Sequence, residues 1–185
     1  SKLPFTFERL ADGDRLDVGG RQFQVMSGDG HCPEQLMLYL EAEAMFFAAD
    51  QVIEKITPNV SVSALEPNGD PLGAFLRSLR RISREVNEDA RVYSGHRMPF
   101  LGLQERCDAL ARHHQDRCSL IMDAAHVQAR SVAELVPVLF HKRLSPHEMS
   151  FAFSEAFAHV NFLVHNGDLR WIDTGNGSRK VVPTH

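Results

Sequence analysis

Two runs, Leu36-Met37-Leu38-Tyr39-Leu40 and Ala44-Met45-Phe46-Phe47-Ala48, are apolar along their whole length. A strand turns successive side chains to opposite faces, so runs like these need cover on both sides. The chain that holds them must therefore build a sheet lying inside other layers, most simply helices. Glu41-Ala42-Glu43 separates the two runs and reads as the turn of a hairpin. Upstream, Leu16, Val18, Phe23 and Val25 alternate around Gly19-Gly20, a second hairpin signal, and Asp12-Gly13-Asp14 is a further turn.

Residues 51–70 hold Pro58, Pro67 and Asn68-Gly69 and show no period, which predicts a long loop. Loops of that length in compact domains are often functional. Asp70-Pro71 is an N-cap followed by proline at the first helical position. Leu72, Phe75, Leu76, Leu79, Ile82 and Val86 then fall at helical spacing, with Arg77, Arg80, Arg81 and Arg84 on a solvated face. A short strand, Ala90 to Ser94, follows. From Gly102 the pattern turns helical. Leu103 to roughly Met122 forms one helix. Ser131-Val132-Ala133-Glu134 and Ser145-Pro146-His147-Glu148 are capping boxes that open two more, the first bent or shortened by Pro137. The last helix is expected to bury Met149, Phe153, Phe157, Val160 and Val164 and to end at Asn166-Gly167. Leu169 to Asp173 and Lys180 to Val182 bracket Asn176-Gly177, a final hairpin. Three helices and a hairpin follow the plan of a winged-helix-like module. The chain thus divides into a β-rich part, residues 1–100, and a helical part, residues 101–185.

Bulk properties narrow the function. At 185 residues and 43% hydrophobic content, one sizeable core is expected. A net charge of −4 argues against a dominant electrostatic hold on nucleic acid. No apolar run is long enough to span a membrane, and the first residues lack a signal-peptide pattern. The three cysteines include no Cys-x-x-Cys pair. Cys107 and Cys118 would stand about 16 Å apart along one helix, too far to bridge. Reduced thiols and a cytoplasmic setting are the simple expectation.

Chemistry concentrates at three strand ends. In Gly28-Asp29-Gly30-His31-Cys32-Pro33-Glu34 a histidine is held between flexible glycines and a stiff proline. Asp50 ends the run Ala44 to Ala49. His96 follows Tyr93-Ser94-Gly95. Alone, each is an ordinary loop residue. Together they make a His, Asp, His set, and each is a good ligand for a first-row metal.

Gly30-His31-Cys32-Pro33-Glu34, Ala49-Asp50-Gln51 with Ile56-Thr57-Pro58-Asn59, and Ser94-Gly95-His96 resemble the later metal-binding motifs of the metallo-β-lactamase superfamily. The pieces around Asp50 are similar to its hydrolase-like branch with a helical C-terminal extension. The resemblance implies an α/β (α+β) fold. Residues 1–100 would be the C-terminal half of an αββα sandwich, and residues 101–185 the winged-helix-like extension. It implies two metal ions, usually zinc, that polarise the substrate and make hydroxide available near neutral pH. His31 would complete one metal site, Asp50 would bridge the two ions, and His96 would bind the second. Glu34 and Gln35 stand close enough in sequence to support the ligands. The family's first motif, His-x-His-x-Asp-His, is absent, and no two histidines here are separated by one residue. His113-His114 project about 100° apart on a helix and cannot replace it. The chain is therefore expected to be a C-terminal portion, with Ser1 as a cloning remnant, inactive alone and weak in metal binding.

The leading expectation is a metal-dependent hydrolase of a small-molecule ester, thioester, amide or phosphoester. An alternative is a winged-helix-type binding module that contacts nucleic acid or serves as a lid or dimer interface. A third reading is a fragment that self-associates into homo-oligomers through uncovered apolar surface.

Overall fold

A computed structural model describes residues 6–175 and 177–185. Residues 1–5, including Ser1, and Asn176 of the last hairpin signal lie outside the described residues. Five strands form one sheet in the order β1 (Arg15–Val18), β2 (Arg21–Gly28), β3 (Gln35–Leu40), β4 (Met45–Ala49) and β5 (Arg91–Ser94). Gly19 and Gly20 take left-handed φ values of 59° and 80°, and so close the β1–β2 hairpin. A single 3-10 turn, Glu41–Glu43, joins β3 to β4. β4 and β5 pair in parallel, and helix α1 (Pro71–Glu85) makes the crossover.

Asp70 caps α1 as the sequence predicts: its carboxylate accepts from the Gly73 amide at 2.8 Å. Its apolar stripe, Leu72, Phe75, Leu79 and Ile82, is buried. That stripe joins Met26, Met37, Tyr39, Phe46, Ala48 and Val92 of the sheet in the core. Those positions alternate along the strands, so they share one face. Fully buried rings such as Phe46 and Phe75 each contribute about 1.5–3 kcal/mol by leaving water.

The opposite face is different. Leu36 is 37% exposed, and Phe23, Leu38, Met45, Phe47 and Tyr93 are half-buried. Phe23 meets Phe47 edge-on, and Phe47 stacks on Tyr93 at 4.9 Å. The apolar runs demand a layer here, and no helix or second sheet among the described residues supplies it.

Three helices follow: α2 (Leu103–Val127), α3 (Val132–Leu139) and α4 (Pro146–His165). Both capping boxes form, at Ser131 with Glu134 and at Ser145 with Glu148. The chain ends in the hairpin β6 (Leu169–Asp173) and β7 (Arg179–Pro183). The buried face of α4 departs from the sequence expectation. Met149 is 45% and Phe153 39% exposed. Val160 is buried as expected and Phe157 and Val164 pack partly buried against the core, but the rest of the buried face is Ala152, Ala156, Ala158, His159, Asn161 and Leu163. Alanines let α4 approach its neighbours closely. The phenylalanines turn to the flank, where Phe157 meets Trp171 edge-on at 6.1 Å. No helix of the described residues is long and apolar enough to cross a membrane.

Candidate metal centre

Strand direction settles where the three candidate residues lie. β2 is antiparallel to β3, β3 to β4, and β4 is parallel to β5. So β2, β4 and β5 run the same way, and their C-terminal ends share one rim. His31, Asp50 and His96 each follow one of those ends. Crevices at the carboxyl ends of strands are favoured ligand sites in α/β sheets.

The side chains meet there. His31 Nε2 lies 3.8 Å from Asp50 Oδ2, and His96 Nε2 lies 3.6 Å from the same oxygen. Two ligands of one tetrahedral zinc, each at about 2.0–2.1 Å, stand roughly 3.3 Å from one another, so these spacings are close to that scale. His31 Nδ1 is 2.9 Å from the carbonyl oxygen of Asn59. A carbonyl only accepts, so Nδ1 carries a hydrogen and Nε2 is the nitrogen turned toward Asp50. Asp50 Oδ1 is buried and has no hydrogen-bond partner. Gly95 lies against that oxygen, and a Cβ there would strike it.

Buried hydrogen bonds tie the loops together. Gln51 is fully buried, and its Nε2 donates to the Asp29 carbonyl at 2.8 Å, linking the Asp50 turn to the His31 loop. Gly28 leaves room for it, since a Cβ there would come within 3.1 Å of the Gln51 side chain. Ser94 Oγ donates to the Val52 carbonyl at 2.7 Å. Gly30, at φ 105°, packs so tightly on α1 that a Cβ would lie 2.6 Å from the Pro71 carbonyl.

Backbone strain collects at the same rim. Four non-glycine residues among those described have positive φ: Glu34, Ala44, Ala49 and Arg97. Three of these, at 49°, 46° and 73°, lie within three residues of His31, Asp50 or His96. Such residues cost free energy, persist only where the surroundings over-determine them, and gather at functional sites.

Next to the rim is an open cleft of about 410 Å³. His31, Cys32, Ser61, Ser63, Glu66 and Asp70 are among its lining. Burial, then the carboxylates of Asp29 and Asp50, push the Cys32 thiol up, which makes it a weak nucleophile.

Imidazole nitrogens and a carboxylate are donors that suit a divalent first-row ion, and the unpartnered Asp50 Oδ1 is a second oxygen for it. The residues present thus fit the group in kind. They fall short in number: among the described residues no three His, Cys, Asp or Glu side chains close around one point tightly enough to hold an ion.

The sequence reading missed the supports. Glu34 is exposed and its carboxylate pairs with Arg9 at 3.1 Å, away from His31. Gln35 Oε1 is buried with no partner. Gln51 and the Asn59 backbone hold the site instead. Both lie in the motif pieces Ala49-Asp50-Gln51 and Ile56-Thr57-Pro58-Asn59, which mark the place but not the role: a buried amide that bridges two loops and a backbone carbonyl leave no signal of their own.

A second group of histidines is buried elsewhere. His114 of α2 and His159 of α4 are both fully buried, with His114 Nδ1 3.1 Å from His159 Nε2. His159 Nδ1 donates to the Glu155 carbonyl at 2.8 Å, so its Nε2 accepts from His114. Burial drives both below the ordinary imidazole value, His159 to about 4 and His114 to about 3, with Arg117 adding to each. Both are neutral at physiological pH.

Comparison with known proteins gives four findings. Residues 118–180 match the family model for the metallo-beta-lactamase-like C-terminal domain. A beta-lactamase domain protein from Burkholderia ambifaria is 35% identical, with a TM-score of 0.94 over 98% of this chain and 54% of that one. A metallo-beta-lactamase family protein from Thermus thermophilus is 30% identical, with a TM-score of 0.81 over 97% of this chain and 55% of that one. An uncharacterized protein of Aquifex aeolicus (strain VF5) is 29% identical over 87 residues, 47% of this chain and 39% of that protein. The chain thus spans about half the length of the solved structures it matches.

Proposed function

We propose that this chain, which belongs to the metallo-β-lactamase superfamily, supplies part of the metal centre of a hydrolase. One observation carries the reading: two imidazole nitrogens stand within 3.8 Å of a single Asp50 oxygen whose partner oxygen is buried and unpaired. His31, Asp50 and His96 would hold zinc, His31 in one site, His96 in a second, and Asp50 between them. When bound, the ions supply Lewis-acid polarisation of the substrate and lower the pKa of a water.

The chain's own residues prepare this. Asn59 fixes the His31 tautomer through its carbonyl. Gln51 holds the His31 and Asp50 loops in register. The cleft beside His31 receives the acyl or phosphoryl portion of a small ester, thioester, amide or phosphoester. The remaining ligands come from polypeptide corresponding to the half of the solved relatives that this chain does not span. A nucleic-acid module is not favoured: α4, ahead of the hairpin, carries no Lys or Arg to face a groove.

The test uses the gene product that carries this chain. Hydrolysis of p-nitrophenyl acetate and of a simple thioester is followed before and after chelation, then after zinc return. Activity that falls with chelation and recovers with zinc, and is lost in Asp50→Ala and reduced in Gly95→Ala, supports the reading. Turnover indifferent to both chelation and Asp50→Ala overturns it.

A further inference from the structure

Asp50 sits at a strained turn. Ala49 before it has φ 46°, and the β4–β5 register shifts between Phe47 and Ala49. After it, Gln51, Val52 and Ile53 are buried without regular secondary structure. Buried carbonyls outside strands and helices need donors from elsewhere. Gly95 N satisfies the Ala49 carbonyl at 2.8 Å and Ser94 Oγ the Val52 carbonyl. Two further carbonyls, of buried Ile53 and of exposed Ile56, are held from the helical part. Arg106 Nε donates to the Ile53 carbonyl at 2.6 Å, and Arg106 Nη2 donates to the Ile56 carbonyl at 3.0 Å.

Arg106 is itself firmly placed. It lies in the first turn of α2, between buried Leu103 and Cys107. In the same turn, Gln104 Nε2 donates to the Val86 carbonyl at 2.8 Å, pinning α2 to the end of α1. Both Arg106 hydrogen bonds go to backbone oxygens and none to a carboxylate. A planar guanidinium reaches two carbonyls three residues apart; a single ammonium does so poorly.

We propose that Arg106 is a positioning residue for Asp50, clamping the Ile53 and Ile56 carbonyls so that the strained turn presents the carboxylate between His31 and His96. The proposal rests on the metal reading above. It gives the helical part a role at the centre to which it contributes no ligand: α2 is a brace for the Asp50 loop. A strained turn needs such over-determination, and supports behind a ligand are worth roughly 10- to 100-fold in metal affinity.

The test titrates the gene product that carries this chain with zinc against a chromophoric chelator, alongside thermal melts. Arg106→Ala should weaken zinc binding by roughly 10-fold or more, and Arg106→Lys, which keeps the charge and one donor, by less. Ser145→Ala removes a cap on α4, far from Asp50 in the chain. It should lower the melting temperature and leave zinc affinity unchanged, so affinity does not merely follow stability. Should Arg106→Ala not fold, Arg106→Lys decides alone. Wild-type affinity in the folded Arg106 variants overturns the proposal and spares the metal reading. Zinc affinity indifferent to His31→Ala and Asp50→Ala overturns both.

Discussion

The two faces of the five-stranded sheet have similar composition and different fates. Met26, Met37, Phe46 and Val92 point toward α1 and are at most 1% exposed. Leu36, Leu38, Phe47 and Tyr93 point the other way and keep contact with water. The sequence demands cover for both; the described residues close one, and on the other they bury Val25 and Leu40 but leave Leu36, Leu38, Phe47 and Tyr93 partly open. The rim that joins the faces carries His31, Asp50 and His96, so the more open face and the proposed centre adjoin one another.

The largest contrast is expected from truncating neighbouring residues on opposite faces. Phe46→Ala should cost about 3–5 kcal/mol of folding stability, because it opens a cavity in a closed core. Phe47→Ser should cost about 1 kcal/mol or less in the same chain, since its ring is already half in water. Urea denaturation of the two variants decides; equal losses would mean that both faces are packed alike.

The covered side has its own weakness. Phe75 of α1 meets His114 edge-on, and behind it lies the neutral His114–His159 pair. Unfolded histidines take up protons below about pH 6.5, whereas His159 resists until about 4 and His114 until about 3. Stability is therefore present above pH 6.5 and lost as pH falls toward 4, by roughly 3 kcal/mol for the first proton taken. Burial raises the Glu155 carboxyl, which acts in the opposite sense and blunts the loss at the acid end. Denaturation midpoints across this range should slope downward, and His114→Phe should flatten the slope.

Much of this architecture could be read from the chain. Asp70, Ser131 and Ser145 announce their helices because caps are local hydrogen bonds between residues three apart. The rim was legible because His31, Asp50 and His96 each follow the end of a strand that the sequence predicts. Side-chain burial on α4 was not legible: periodicity favours Met149 and Phe153, but close helix contact selects Ala152 and Ala156. Nor was Arg106, whose partners Ile53 and Ile56 are backbone carbonyls some 50 residues away.

Weaker effects sharpen the same contrast. The open face should drive self-association of the isolated chain, and Leu36→Lys with Phe47→Lys should weaken it about tenfold or more, some 1.4 kcal/mol. Sedimentation velocity over a range of concentrations reads this directly. Smallest is Ser145→Ala, which should cost about 1 kcal/mol through the lost α4 cap and leave the self-association of the chain as it was.

X-ray absorption at the zinc edge, on this chain loaded with less than one equivalent of zinc, bears most directly on the centre. The spectrum should show imidazole scattering together with an oxygen ligand, and His31→Ala and His96→Ala should each diminish the imidazole signal. A spectrum without imidazole, or one unchanged in the Asp50→Ala, His31→Ala and His96→Ala chains, would contradict a metal centre at this rim.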